Sequence, residues 1–228
     1  MLASFSKKHL VIVGVFGLIV LFLFVSKVSF FESLAGEVPA ELTLDVPFSP
    51  QAPTGNWDNN ENCEETSLIM AQAYFDGRTE NILPADEVQE SINKLNAWED
   101  VNFGHHEDTG ADETSRMAEK VLDLDVRQIR DYTESDLKRA LSDDHVVLLP
   151  LSARLLENPQ HYADGGPFYH MLIVIGYNEV GFIVHDPGSD DGADNVYSFA
   201  ILKNAAVDWN NKTKTIDPTR KIALIVSK

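Results

Sequence analysis

Positive charge and cysteine are both scarce in this sequence. Its 228 residues carry 18 lysines and arginines against 36 aspartates and glutamates, a formal net charge of −18. A surface of that sign repels phosphate backbones and argues against a nucleic-acid partner. With Cys63 as the single cysteine, no disulfide can form within the chain. Internal repeats and low-complexity tracts are missing as well. What is present suits a folded protein: 44% of the residues are hydrophobic and 24% charged, enough to bury a core and to exclude a disordered chain. The length fits one domain with an appendage.

The appendage is at the N-terminus. From Leu10 to Val25 no residue is charged or carries a polar side chain, and Val28, Phe30 and Phe31 continue the apolar character past Lys27. A secretory signal has an apolar core of about 7–15 residues, whereas a spanning helix needs about 20. The stretch Leu10–Phe31 is long enough to span if Lys27 extends its ammonium to the interface. Lys7 and Lys8 precede the run, so the positive-inside tendency keeps the N-terminus cytoplasmic and exports the rest. The expected organisation is a membrane anchor or uncleaved signal over 1–31, a linker over 32–43 and a domain over 44–228. The protein is then single-pass in the cell membrane, with the domain on the extracytoplasmic side. Cleavage near Ser33-Leu34-Ala35 is the alternative and would make the domain secreted.

Within the domain, Leu44 to Phe48 reads as a short extended piece that leads into a loop over 49–62. A helix follows, with Asn62 as N-cap and Glu65 completing a capping-box-like pair. Its apolar residues, Leu68 to Phe75, run nearly all round it, which marks it as central, and Gly77 is the stop. Further helices are expected over Pro84–Trp98, Glu113–Leu122 and Thr133–Leu141, and a strand over Val126–Ile129. Strand-like runs then follow at His145–Leu151, His170–Tyr177, Gly181–His185 and Lys221–Ser227. Ser198–Trp209 reads as strand turning into helix. Helices first and strands later, with short antiparallel connections, argue for an α+β fold.

A lone cysteine is ordinarily a small core hydrophobe. Cys63, however, opens a helix, where free N–H groups and the positive end of the dipole favour a thiolate. Its own N–H points where an oxyanion would form. Glu64 and Glu65 oppose the thiolate unless they point away. Among the seven histidines, His170 opens a strand, where a base on the sheet rim can reach a helix N-terminus. Asp186 ends the next strand before a Pro-Gly turn. A hairpin made of His170–Tyr177 and Gly181–Asp186 brings these two residues side by side, the carboxylate orienting the imidazole.

The segments VPFSPQAP, NWDNNENCEETSLIMA and HMLIVIGYNEVGFIVHDPG resemble the C39-like peptidase family of the papain-like cysteine peptidases. The resemblance spans residues 44–190. It implies a papain-like fold, with N-terminal helices packed on an antiparallel sheet, and peptide-bond hydrolysis by a thiol without a cofactor. Carried over residue by residue, Cys63 matches the nucleophile, His170 the base and acid, Asp186 the orienting residue and Gln51 the oxyanion-hole amide. Many members read Gly-Cys-Gly-Pro-Thr-Ser at the nucleophile, where this chain reads Asn62-Cys63-Glu64-Glu65-Thr66-Ser67. The implied partner is a peptide or protein substrate.

Two other readings stay open: a related cell-wall peptide hydrolase or transglutaminase with the same order of residues, and a catalytically silent binding domain on the same scaffold. No metal is expected. His105 and His106 lie in an acidic turn. The oxygen-rich stretch Ser189–Asn195 lacks the full spacing and closing glutamate of a calcium loop, so a solvated loop is expected there. Trp57 is either one wall of a substrate groove or part of a hydrogen-bonded loop.

Overall fold

The computed structural model describes residues 38–228 except 59, 159, 160, 163 and 164. Five helices and nine strands occur among them: β1 (Leu42–Thr43), α1 (Cys63–Phe75), α2 (Ala85–Asn102), α3 (Ala111–Val121), β2 (Asp125–Arg130), α4 (Glu134–Ser142), β3 (Val146–Leu151), β4 (His170–Tyr177), β5 (Phe182–His185), β6 (Asn195–Tyr197), α5 (Phe199–Ala205), β7 (Asp208–Asn210), β8 (Thr215–Asp217) and β9 (Ile222–Ser227). The fold is α+β, as the order of elements in the sequence suggested. The anchor expected over 1–31 lies outside the described residues. Among the residues described, no helix is long and apolar enough to cross a membrane.

Seven strands form one antiparallel sheet in the order β2-β9-β3-β4-β5-β6, with β1 also paired to β4. β3 (VVLLPL) and β4 (HMLIVIGY) are buried along their whole length. Continuous apolar runs of this kind belong to central strands covered on both faces. β3 pairs with β4 from His170 to Val174, and β1 takes over at Gly176 and Tyr177. A side chain at Gly176 would place its Cβ 2.4 Å from the Leu42 carbonyl oxygen, so only glycine lets β1 approach. Leu42 and Thr43, read from sequence as the end of a linker, thus belong to the sheet.

β4 and β5 form the expected hairpin, with Tyr177 opposite Phe182. Asn178 shapes its turn: the side-chain Oδ1 accepts the Val180 and Gly181 N–H groups at 2.8 and 3.1 Å. α1 packs on β4 and against α2. Its residues from Cys63 to Ala71 are buried without a break, as the all-round apolar pattern required. Asp76 ends it, and Gly77 follows with φ +72°, a left-handed conformation that glycine adopts freely.

Two expectations about local structure are corrected. The capping box at Asn62 and Glu65 does not form. The Asn62 side chain makes no cap bond, and its Oδ1 instead accepts from Asn96 Nδ2 of α2 at 3.0 Å. Tertiary packing of α2 has taken the cap for itself. A true capping box occurs at Thr133 and Asp136, at the start of α4. The stretch Ser198–Trp209 runs in the opposite order to that expected. Helix α5 comes first, capped by Ser198, and β7 follows.

Candidate active site

Gln51, Cys63 and His170 line one cavity of about 660 Å3, with Asp186 behind His170. Each side chain comes from a different element. Cys63 is the first residue of α1, a free thiol that is 3% exposed. Its N–H, in the first turn of a helix, has no intrahelical acceptor. His170 is the first residue of β4, opposite Leu151 of β3. Asp186 follows β5, so the hairpin register brings it to the imidazole across 16 positions, with His170 Nε2 and Asp186 Oδ1 at 2.7 Å.

Asp186 is fully buried and well supplied with donors. Besides His170, the Tyr162 hydroxyl reaches both of its oxygens at 2.8 and 2.9 Å, and the Gly188 N–H donates to Oδ1 at 2.9 Å. Burial by itself pushes the carboxyl up. The adjacent His170, Gly188 and Tyr162 outweigh burial and hold it below the usual carboxylate range. Gly188 is required by close packing: a Cβ there would lie 2.6 Å from the Tyr162 hydroxyl and 3.0 Å from His170 Cε1. Because Asp186 takes Nε2, the ring nitrogen left for a thiol proton is Nδ1.

Gln51 is locked to the loop that precedes α1. Its Nε2 donates to the Asn60 carbonyl at 2.9 Å, and Asn60 Nδ2 returns a bond to the Gln51 carbonyl at 3.1 Å. The Gln51 N–H donates to the Pro187 carbonyl at 2.8 Å, which ties this loop to the Asp186 turn. The loop whose length is not readable in the sequence is therefore pinned at both ends.

Glu64 does not point away from Cys63, and Glu64 and Glu65 are both buried. Glu64 Oε2 accepts the Cys63 thiol at 3.0 Å, and Oε1 accepts the Thr109 N–H at 2.8 Å. Burial, then the Glu64 charge and this hydrogen bond, push the thiol well above its ordinary value. Among the described residues no hydrogen bond joins Cys63 to His170. Beneath them, neither oxygen of Glu65 or of Glu99 has a hydrogen-bond partner. Burial pushes Glu65 well up, and Glu99 up to about 8.

Several residues of the site escape a reading by sequence. Tyr162 and Gly188 support Asp186, and the proximity of Gly188 to the Asp186-Pro187 turn was a usable signal. Asp108 lines the cavity, and its carboxyl is pushed up to about 7, first by burial and then by Glu61. Trp209, Phe168 and Ile216 form apolar walls, and Trp57 lies on the same lining. Three other histidines have separate partners. His185 Nε2 meets the Val46 carbonyl at 2.8 Å, and His106 Nδ1 meets Asp100 at 2.8 Å. His161 meets Ser189 Oγ at 2.9 Å and Asn195 Oδ1 at 3.1 Å, so both ends of the oxygen-rich stretch are engaged by an imidazole. Among the described residues no three His, Cys, Asp or Glu side chains are grouped to hold a metal ion.

Comparison with known proteins agrees with this architecture. A candidate C39-like peptidase from Bacillus anthracis superposes with a TM-score of 0.52 at 16% identity, over 83% of this chain and 99% of that one. At that identity the likeness is one of fold. No curated protein matches the sequence. The sequence pattern of the Peptidase_C39 like family matches residues 43–216. With its fold and most of its length accounted for in this way, the chain belongs to the Peptidase_C39 like family.

Proposed function

We propose that this protein is a cysteine peptidase that hydrolyses peptide bonds with Cys63 as nucleophile, His170 as base and acid, Asp186 as orienting carboxylate and Gln51 as oxyanion donor. The observation that carries the reading is the single cavity shared by Gln51, Cys63 and His170, with Asp186 bonded to the far nitrogen of the imidazole. His170 Nδ1 takes the Cys63 proton, and the sulfur attacks the peptide carbonyl carbon. The oxyanion is held by the Cys63 N–H and Gln51 Nε2, each worth about 2.7–4 kcal/mol in the transition state. The leaving amine takes the proton from His170. Water, deprotonated by the same imidazole, then cleaves the thioester and restores the thiol. The apolar walls at Trp57, Phe168, Trp209 and Ile216 suit a substrate with a bulky apolar side chain near the scissile bond.

In this reading residues 1–31 anchor the protein in the cell membrane, and the domain works on the extracytoplasmic side. A second reading, a silent binding domain, draws on one observation: the thiol is bonded to Glu64 and held protonated. Hydrolysis of a fluorogenic peptide library by the wild type and by Cys63→Ala separates the two. The peptidase reading expects cleavage by the wild type and at least a 10³-fold loss in the variant. Cleavage that persists in Cys63→Ala removes the nucleophile assignment, and a wild type inert to every peptide leaves the binding domain.

A further inference from the structure

The thiol of Cys63 has a partner that the proposed reaction does not use. Glu64 occupies the second position of α1 with both oxygens engaged: Oε1 takes the Thr109 N–H at 2.8 Å and Oε2 takes the Cys63 thiol at 3.0 Å. The Thr109 contact comes from the loop before α3 and is itself supported, since the Tyr169 hydroxyl donates to the Thr109 carbonyl at 2.8 Å. Glu64 is fully buried, so this geometry is set by packing and not by solvent. We infer that Glu64 is a positioning residue that holds Cys63 in a resting state as a hydrogen-bond donor, and that the nucleophile is released to His170 only when this bond is given up.

Burial, then Glu65 and Asp108, push the Glu64 carboxyl well above its ordinary value, and in its ionised form it can only accept from sulfur, which favours S–H over S⁻. Of the acidic groups around Glu64, Asp108 and Glu65 also disfavour a thiolate at Cys63 directly. Glu65 lies on its own helix, Glu99 on α2, Asp108 on the loop before α3 and Tyr169 on the segment before β4. No salt bridge from a lysine, arginine or histidine reaches Glu64 among the described residues. Thiolates, not thiols, are alkylated and oxidised, so a lone cysteine held in this way is shielded from both while the cavity is empty. The inference rests on Cys63 being the nucleophile, but its test reads the thiol and not the hydrolysis.

Glu64→Gln reverses the polarity of one bond and leaves the shape unchanged. The amide oxygen keeps the Thr109 N–H, which turns Nε2, a donor, toward the sulfur. A donor stabilises the thiolate. The experiment is the rate of iodoacetamide alkylation of Cys63 from pH 6 to 10, in the wild type and in Glu64→Gln. The expected result is a rate at pH 7 at least about tenfold faster in the variant, with the whole pH profile moved to lower pH. A role confined to folding would leave the profile of the folded fraction where it is. Glu64→Asp provides a second arm if the amide variant does not fold. Its shorter carboxylate can keep Thr109 or the sulfur but not both, and the expected rate lies between the other two. Superimposable profiles, or slower alkylation in Glu64→Gln, overturn the inference. Because hydrolysis is not measured, loss of the peptidase reading and loss of this one are told apart.

Discussion

Two groups of carboxyls flank the cluster of Cys63 and His170, equally buried and oppositely treated. Asp186 receives bonds from His170, Tyr162 and the Gly188 N–H, and its carboxyl is held below the usual range. Glu65 and Glu99 face each other beneath α1 with no donor for any of their four oxygens, and both are pushed up. The comparison separates burial from charge. Burial raises any carboxyl, and only directed donors keep one ionised in the interior. On the Asp186 side the fold supplies those donors, and the charge orients an imidazole. On the glutamate side it supplies none, and burial pushes both carboxyls up.

The largest effect is expected from breaking the satisfied side. Asp186→Asn removes the charge but keeps the volume, and its amide can present a donor to Nε2 where an acceptor is needed. The imidazole then loses its tautomer, and kcat/KM for peptide hydrolysis is expected to fall about 10²–10⁴-fold. Unchanged turnover in a folded Asp186→Asn variant would show that His170 needs no orienting partner.

The unsatisfied side is broken by pH. A carboxyl whose folded-state value is raised contributes its full stability below the ordinary value near 4.5, and loses it as pH rises through about 8. Thermal unfolding is therefore expected to show lower stability at pH 8 than at pH 5, by roughly 3 kcal/mol, and Glu99→Gln should flatten that slope. Asp186 carries the opposite sign. Its contribution is present above the ordinary value near 3.8 and is lost as pH falls through the depressed one. A wild type equally stable at pH 5 and pH 8 would mean that the glutamate pair finds donors in solution.

The smallest effect sharpens the comparison by a single bond. Tyr162→Phe removes one of the donors to Asp186 and leaves His170 and Gly188 in place. A hydrogen bond to a charged group is worth about 1.5–3 kcal/mol, so a loss in kcat/KM of roughly 10–100-fold is expected, with the acid limb of the pH–rate profile displaced. No change in either would show that the remaining donors suffice.

How much of the site was legible follows from how each residue is positioned. His170 and Asp186 could be paired on paper because a short turn brings the outer ends of the two strands together, whereas the bulge between Val174 and Gly176, which shifts the register by one residue, was not readable. Cys63 could be placed at the start of α1 because Asn62 reads as an N-cap, a position it holds although its side chain makes no cap bond. The direction of Glu64 and Glu65 was not readable. A helix apolar all round carries no stripe to say which way it is rolled, and α2 and the Thr109 loop decided it. Tyr162, Asp108 and Trp209 reach the cavity from loops and from a late strand, where no local period announces a direction.

Local patterning thus determined the main helices, the central strands and the hairpin that joins imidazole to carboxylate, since those depend on neighbours a few residues apart. Tertiary structure alone decided that the Cys63 thiol rests on Glu64 and that Glu65 meets Glu99 without a donor. Both are contacts of buried polar groups, and their partners are fixed by how the core packs and not by any propensity of the residues themselves.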